Sequence, residues 1–432
     1  MRERVVFTEE MKKDYTILIP TMLPMHFKMI AKTLVYFGYK AEVLENSGQK
    51  VIDNGLKYVH NDACYPSLLI IGQFIDALQS GKYDPHKVAL LYAQTGGGCR
   101  ASNYISLLRK ALEKAGFEYV PVISLNLTGL EDNPGFKLTL PILHRMVYAV
   151  MYGDLLMLLR NQCIPYELEK GATERKCEEW TNRLVDEMAT TRINYRRIKK
   201  NYAAIVKDFA SIPRSNEKKI KVGIVGEIFV KFSPLGNNNL EEFLVSEGAE
   251  VYMAGLVDFC LYCVQNGLVD RQLYGGKLIK CIGSKFAKRI VVNKQNDLIK
   301  AINENSNFNP PTPFDHTFSL IKEYIGPGTK MGEGWLLPAE MLELIDSGFK
   351  NIICVQPFGC LPNHIVGKGM MKPIKEKNPG VNIVAVDYDP GATKINQENR
   401  IKLMLSCARD LEKSEDPVEY KTDEKSKEPV LV

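Results

Sequence analysis

Three cysteines sit in matching contexts: Cys64 in HNDACYPSLL, Cys99 in QTGGGCRASNY and Cys360 in VQPFGCLPNH. Each falls where an apolar run of strand character ends and a turn marked by Pro or Gly leads onward. In an open α/β sheet, ligands bind beyond the carboxyl ends of the strands, so thiols at three such ends can converge although they are far apart in sequence. Three thiolates around one point suit a soft metal centre.

The local sequence bears on how reactive these thiols are. Cys99 follows Gly96, Gly97 and Gly98 and precedes Ser102, which reads as a helix N-cap; Cys64 is followed by Pro66, which suits a first helical turn. Both placements are expected to favour thiolate, because backbone N–H groups and the helix dipole stabilise negative charge. Gly96, Gly97 and Gly98 would let the backbone approach an inorganic core closely, with Gly97 and Gly98 carried as cofactor-binding candidates.

The other candidates carry weaker signals. Cys354 lies inside the apolar run NIICVQ, where core packing is favoured over ligation. Cys260 and Cys263 form a CxxC within VDFCLYCVQ, but no second CxxC accompanies them, so core packing is favoured over zinc. Cys163, Cys177, Cys281 and Cys407 receive no role. Glu227, in GIVGEIF, reads as a helix-start carboxylate. His60, Asn61, Asp62, Asn363 and His364 flank the cysteines. His364 is carried as a catalytic candidate, although an ordinary turn role is favoured for the group. Neither GxGxxG nor GxxxxGK[ST] occurs, so no phosphate loop is expected here.

The elements that must position these residues follow an alternation of short apolar runs with helical patterns, the signature of βαβ units. Strands are expected at Thr16 to Pro20, Ala41 to Leu44, Val88 to Ala93 and Tyr119 to Leu125, with helices near His26 to Phe37, Ser67 to Gln79 and Ser102 to Ala115. A second set of strands is expected at Ile220 to Val225, Glu250 to Met253, Asn351 to Val355 and Asn382 to Val386. Between the two sets, Trp180, Leu184, Met188, Tyr195, Ile198, Tyr202, Ile205 and Phe209 recur at mostly three- and four-residue steps, the period of one helix face. Ser211 to Lys219 reads as a linker, and Asn303 to Phe314 as a Pro-rich loop. The expected division is an N-terminal α/β domain over 1–155, a helical connector over 156–213, a C-terminal α/β domain over 214–410 and a disordered tail over 411–432. The fold class is two doubly wound, Rossmann-like parallel-sheet domains.

Composition bounds the function. The chain has 432 residues and is 45% hydrophobic, enough for a large core. Its net charge of +5 is small beside 56 basic and 51 acidic residues, so nucleic-acid binding is not expected. The basic run of Arg192, Arg196, Arg197, Lys199 and Lys200 reads as a solvated helix face. No uninterrupted apolar run approaches the roughly 18 to 20 residues that cross a membrane, and the N-terminus has no apolar signal region. Ten cysteines without such a signal point to reduced thiols in the cytoplasm.

The blocks HNDACYPSLLIIGQ, AQTGGGCRASNY, VGIVGEIFVKFSPLGNNNLEEFLVSEGAEV, VQPFGCLPNHIVGKGM and VAVDYDPGATKINQENRIKLML resemble the 2-hydroxyacyl-CoA dehydratase family. Within it, the chain is most similar to the C-terminal portion of fused activase–dehydratase proteins, and it is also related to double-cubane cluster proteins. The resemblance runs from about Tyr15 to Leu405. It implies a cuboidal iron–sulfur cluster in a cleft between two domains, held by Cys64 and Cys99 from the first and Cys360 from the second. Glu227 matches the family's GEIF block, which implies, on equal terms with the helix-start reading, a place at the domain interface or cluster pocket as a catalytic candidate. A single [4Fe-4S] cubane is expected, with a double-cubane [8Fe-9S] cluster as the alternative.

It also implies that a separate ATP-hydrolysing iron–sulfur activase reduces the cluster. In the dehydratase relatives, a low-potential electron makes a ketyl radical of a thioester substrate, so that a poorly acidic proton can leave. The expectation is therefore an iron–sulfur protein that uses such electrons to reduce or dehydrate a small molecule or acyl-CoA. It would work without nucleic acid or membrane; a homodimer is compatible with this. The alternatives are a non-catalytic electron carrier and an apo α/β binding protein.

Overall fold

The computed structural model describes residues 4–60, 62–95, 97–125 and 131–415. Four strands, β1 (Thr16–Ile19), β2 (Lys40–Val43), β3 (Val88–Ala93) and β4 (Val122–Leu125), form one sheet in the order β2-β1-β3-β4. Four more, β5 (Ile220–Gly226), β6 (Ala249–Tyr252), β7 (Asn351–Pro357) and β8 (Asn382–Tyr388), form a second in the order β6-β5-β7-β8. Every pairing is parallel, with Leu18 opposite Glu42 and Leu90, and Val225 opposite Cys354. These are the two Rossmann-like parallel-sheet domains expected from the sequence. All eight expected strands are present, with ends shifted by up to three residues.

Parallel strands joined by helical crossovers are buried on both faces, and the apolar residues sort accordingly. In the first sheet Leu18, Leu90 and Val122 pack on one face, while Ile17, Ile19, Ala89, Leu91 and Ile123 pack on the other. In the second, Val222, Ile224, Ile353 and Val355 face one way, and Ile352, Cys354 and Ile383 the other. The cluster holding Leu18 and Val222 also takes in Leu155, Trp180, Leu184, Tyr202 and Phe209, so a single core joins the two sheets through the intervening helices.

Those helices are Leu140–Cys163, Ala172–Thr190 and Tyr195–Ala210. The first runs unbroken through position 155, where the sequence divides the first domain from the connector. It is long and apolar enough to cross a membrane by length and composition, which the lack of an uninterrupted apolar run did not foresee; 78% of its apolar window is buried inside the protein. The periodic face from Trp180 to Phe209 belongs to two helices rather than one. The Asn194 side chain accepts from the N–H groups of Arg196 and Arg197 and starts the second helix, leaving Tyr195 47% exposed.

Three further expectations change. A helix over Gln49–Tyr58 precedes Cys64, and a helix over Leu278–Asn305 takes up the start of the expected Pro-rich loop. The helix Lys394–Glu415 continues past position 411, so the expected tail begins in helix and otherwise lies outside the described residues.

Candidate functional site

With strand orders β2-β1-β3-β4 and β6-β5-β7-β8, the topological switch points fall between β1 and β3 and between β5 and β7. Ligands bind at such points, beyond the carboxyl ends of the strands. Here both open onto the same cavity. Its wall takes Pro20 and Met22 from beyond β1, Thr95 and Cys99 from beyond β3, Glu227 from beyond β5 and Gly359 and Cys360 from beyond β7. Cys64 joins them. The cavity has a volume of about 480 Å³, within the ~300–1,000 Å³ of small-molecule sites.

Each thiol is placed by an identifiable local feature. Cys64 is the N-cap of the helix Tyr65–Gln79, with Pro66 at the start of the helix as expected. Cys99 caps a short 3₁₀ turn, Arg100–Asn103, and the α-helix begins only at Tyr104. Ser102 is therefore not the helix cap; its hydroxyl donates to the Cys99 carbonyl at 2.8 Å and closes the turn. Cys360 follows the sharp turn at Gly359. Gly359 has φ +72°, and a Cβ there would lie 3.1 Å from the Cys64 Cα, so glycine permits the two cysteine loops to touch. The Tyr65 N–H donates to the Phe358 carbonyl at 2.9 Å and ties these loops across the domain boundary.

Gly97 and Gly98 pack against the Met331 side chain and are not part of the cavity wall. The Gly98 N–H lies 3.1 Å from the Met331 sulfur, and a Cβ on Gly97, at φ +90°, would approach that sulfur to 2.8 Å. Gly96 and Asn61 lie outside the described residues.

The electrostatics reverse the expectation of ready thiolates. Burial pushes the Cys64 thiol up to about 11, although the Tyr104 hydroxyl, 2.9 Å from its sulfur, works the other way. Burial also raises Cys99 and Cys360, and the neighbouring carboxylates Glu333 and Glu227 add to both. In the absence of a cation these thiols stay protonated at neutral pH. A bound cation would supply the positive charge that makes thiolate favourable.

Glu227 both lines the cavity and starts a helix. It is buried in the cavity wall, and its Oε2 accepts from the Val230 N–H at 2.9 Å, capping the short helix Ile228–Phe232. Beside it stands Glu333, which the sequence did not single out; its Oε1 accepts from the Ile228 N–H at 3.0 Å. Burial raises Glu227 above the usual carboxylate range, and the Glu333 charge raises it further; burial raises Glu333 as well. A carboxyl held neutral in this way can donate a proton or a hydrogen bond into the cavity.

The remaining candidates separate. His364 is exposed and not part of the wall, with its Nδ1 2.7 Å from Gln356 Nε2. His60 and Asp62 are exposed neighbours in a turn. Asn363 is buried and donates to the Val355 carbonyl at 2.7 Å, a structural bond. Cys354 packs in the β7 core, as its apolar run suggested. The CxxC does not: Cys260 and Cys263 are both exposed residues, and Cys263 lines the cavity.

The donor set in the wall is soft, with thiols from both domains around a largely apolar void. Among the described residues no three His, Cys, Asp or Glu side chains converge tightly enough for a single metal ion. Thiol donors are the kind that a soft metal centre takes. The Tyr92 hydroxyl is buried in the same wall. Fold and site together define a class: a two-domain parallel α/β protein with a thiol-lined cleft at its switch points. Comparison with protein-family models and with curated protein sequences gave no match.

Proposed function

We propose that this chain is an iron–sulfur protein of the kind its cysteine blocks resemble, the 2-hydroxyacyl-CoA dehydratase family. In this reading it accepts low-potential electrons from a separate ATP-hydrolysing activase and uses them to reduce or dehydrate a small substrate. One observation carries the reading: Cys64 and Cys99 from the first domain and Cys360 from the second, more than 250 residues further on, line one cavity where the switch points of both sheets meet.

Those three thiols would hold a cubane, which when bound supplies one-electron reduction at low potential. The protein's own part is to place and shield it. Tyr104 and Tyr92 offer hydroxyls beside Cys64, and Glu227 and Glu333 offer carboxyls whose hold on a proton burial strengthens, on the opposite side of the domain boundary. The Cys360 loop presents Phe358, Leu361 and Ile365 to solvent, an apolar rim on which a partner can dock close to the thiols.

The test mixes reduced activase with this protein under anaerobic conditions and follows the visible and EPR signals. ATP should permit reduction, whereas a non-hydrolysable analogue or no nucleotide should not. Reduction at the same rate under all three conditions would overturn ATP-gated transfer.

A further inference from the structure

Cys263 is a fourth thiol in the same cavity, and its placement is built rather than incidental. It lies on the helix Leu256–Tyr274, whose Leu256, Phe259, Tyr262, Cys263 and Asn266 form one face at steps of three, three, one and three residues, all of them in the cavity wall. Cys260, three residues earlier, is not in that wall.

The helix that carries Cys263 is fixed at three points. At its start, the Asp154 carboxylate accepts from the N–H groups of Leu256 and Val257 at 2.8 and 2.9 Å, and His26 Nε2 holds that carboxylate at 2.9 Å. One residue before Cys263, the Tyr262 hydroxyl lies 2.8 and 2.9 Å from the carbonyls of Lys330 and Gly332. Three residues after it, Asn266 accepts from the Trp335 indole at 3.0 Å. The segment held by Tyr262 also approaches Cys99, since a Cβ on Gly332 would stand 3.8 Å from the Cys99 sulfur. A thiol anchored in this way on a rigid helix has a defined position relative to the other three.

We infer that Cys263 is the fourth protein ligand of the metal group held by Cys64, Cys99 and Cys360. The inference rests on the cluster reading above. It changes what that site does, because a cubane has four iron corners and three thiolates leave one without a protein ligand. With Cys263 as a ligand, all four corners would carry a protein thiolate, and the bound group would supply electron transfer without needing an open corner.

Two measurements test it. The intact protein, isolated anaerobically, is alkylated with iodoacetamide, and the modified cysteines are located by tandem mass spectrometry. Cys64, Cys99, Cys263 and Cys360 should be protected until iron is removed by a chelator, whereas exposed Cys260 and Cys407 should be labelled at once. Labelling of Cys263 as fast as Cys260, with the other three still protected, would overturn the inference and leave the cluster reading intact.

The second measurement treats wild type and Cys263→Ala with ferricyanide, which takes one electron per cubane as one ferrous ion leaves. The variant should lose about one iron in four and develop a three-iron EPR signal, while wild type resists. Equal loss in both would overturn the inference. Wild-type protein without iron and sulfide would overturn the cluster reading and this inference together.

Discussion

The two halves of the molecule repeat one strand order and open onto one cavity, yet they furnish it with different chemistry. Beyond β3 and at the start of the helix Tyr65–Gln79, the N-terminal half supplies two thiols, Cys99 and Cys64, with the hydroxyls of Tyr92 and Tyr104 behind them. The C-terminal half supplies Glu227 beyond β5, Cys360 beyond β7, Cys263 from the helix Leu256–Tyr274 and Glu333 from the turn before the helix Leu336–Asp346. Its carboxyls are backed by a buried ion pair in which the Lys231 ammonium sits 2.9 Å from Glu340. The shared topology fixes where side chains can point, at the strand ends of the switch points, and the residues placed there decide the chemistry. Neither half alone supplies all of these groups.

The largest effect should come from the thiols themselves. Cys64→Ala, Cys99→Ala and Cys360→Ala should each lose most of the bound iron after anaerobic isolation, while Cys407→Ala keeps it. If Cys360→Ala retained wild-type iron, the N-terminal half would bind alone and the cleft would not be a shared site.

Next in size is the buried pair that belongs to the C-terminal half. Lys231→Met strands the Glu340 carboxylate in the core and should cost about 3–5 kcal/mol in denaturant unfolding, with much of the loss recovered by adding Glu340→Gln. A loss under about 1 kcal/mol for the single variant would show that the carboxyl cluster tolerates an unpaired charge.

A pH measurement sharpens the same half. Burial pushes Glu343 up to about 7 against an ordinary 4.5, with the Thr312 hydroxyl hydrogen bond opposing. The native state thus holds a proton that the unfolded chain releases, so stability falls as pH rises from about 4.5 to 7 and is level above. Glu343→Gln removes that slope and should be more stable than wild type at pH 8 by up to about 3 kcal/mol, with little difference at pH 4.5. Parallel pH profiles for the two proteins would contradict the assignment.

The smallest change is expected from Tyr104→Phe, which deletes the hydroxyl beside Cys64 in the N-terminal half. Stability should fall by about 1 kcal/mol or less, and the midpoint potential should become more negative, because hydrogen bonds to sulfur favour the reduced state. An unchanged potential would mean that the phenol does not donate to that sulfur.

Much of the fold was legible because strand signals are local. Val88–Ala93 is an apolar run between turn residues and forms a strand with those ends, whereas Tyr119 was drawn into β4 although the strand begins at Val122. The three cysteines were legible for the same reason: each adjoins a strand end or helix start that the sequence marks with Gly or Pro. Cys263 was not. VDFCLYCVQ is apolar on all sides, so its pattern does not tell the cavity face from the face bearing Cys260. Glu333, in KMGEGW, carries no motif either; its place in the wall comes from the turn closed by the Trp335 N–H to the Thr329 carbonyl at 2.7 Å. Met331 shows the same dependence on tertiary structure, since Gly97 and Gly98 accommodate a side chain more than 230 residues away.

The central claim is that thiols from both halves bind one iron–sulfur cubane. Its most direct test is iron and acid-labile sulfide analysis of the wild-type protein purified without exposure to air. About four irons and four sulfides per chain are predicted. Stoichiometric zinc without sulfide, or no metal at all, would contradict it.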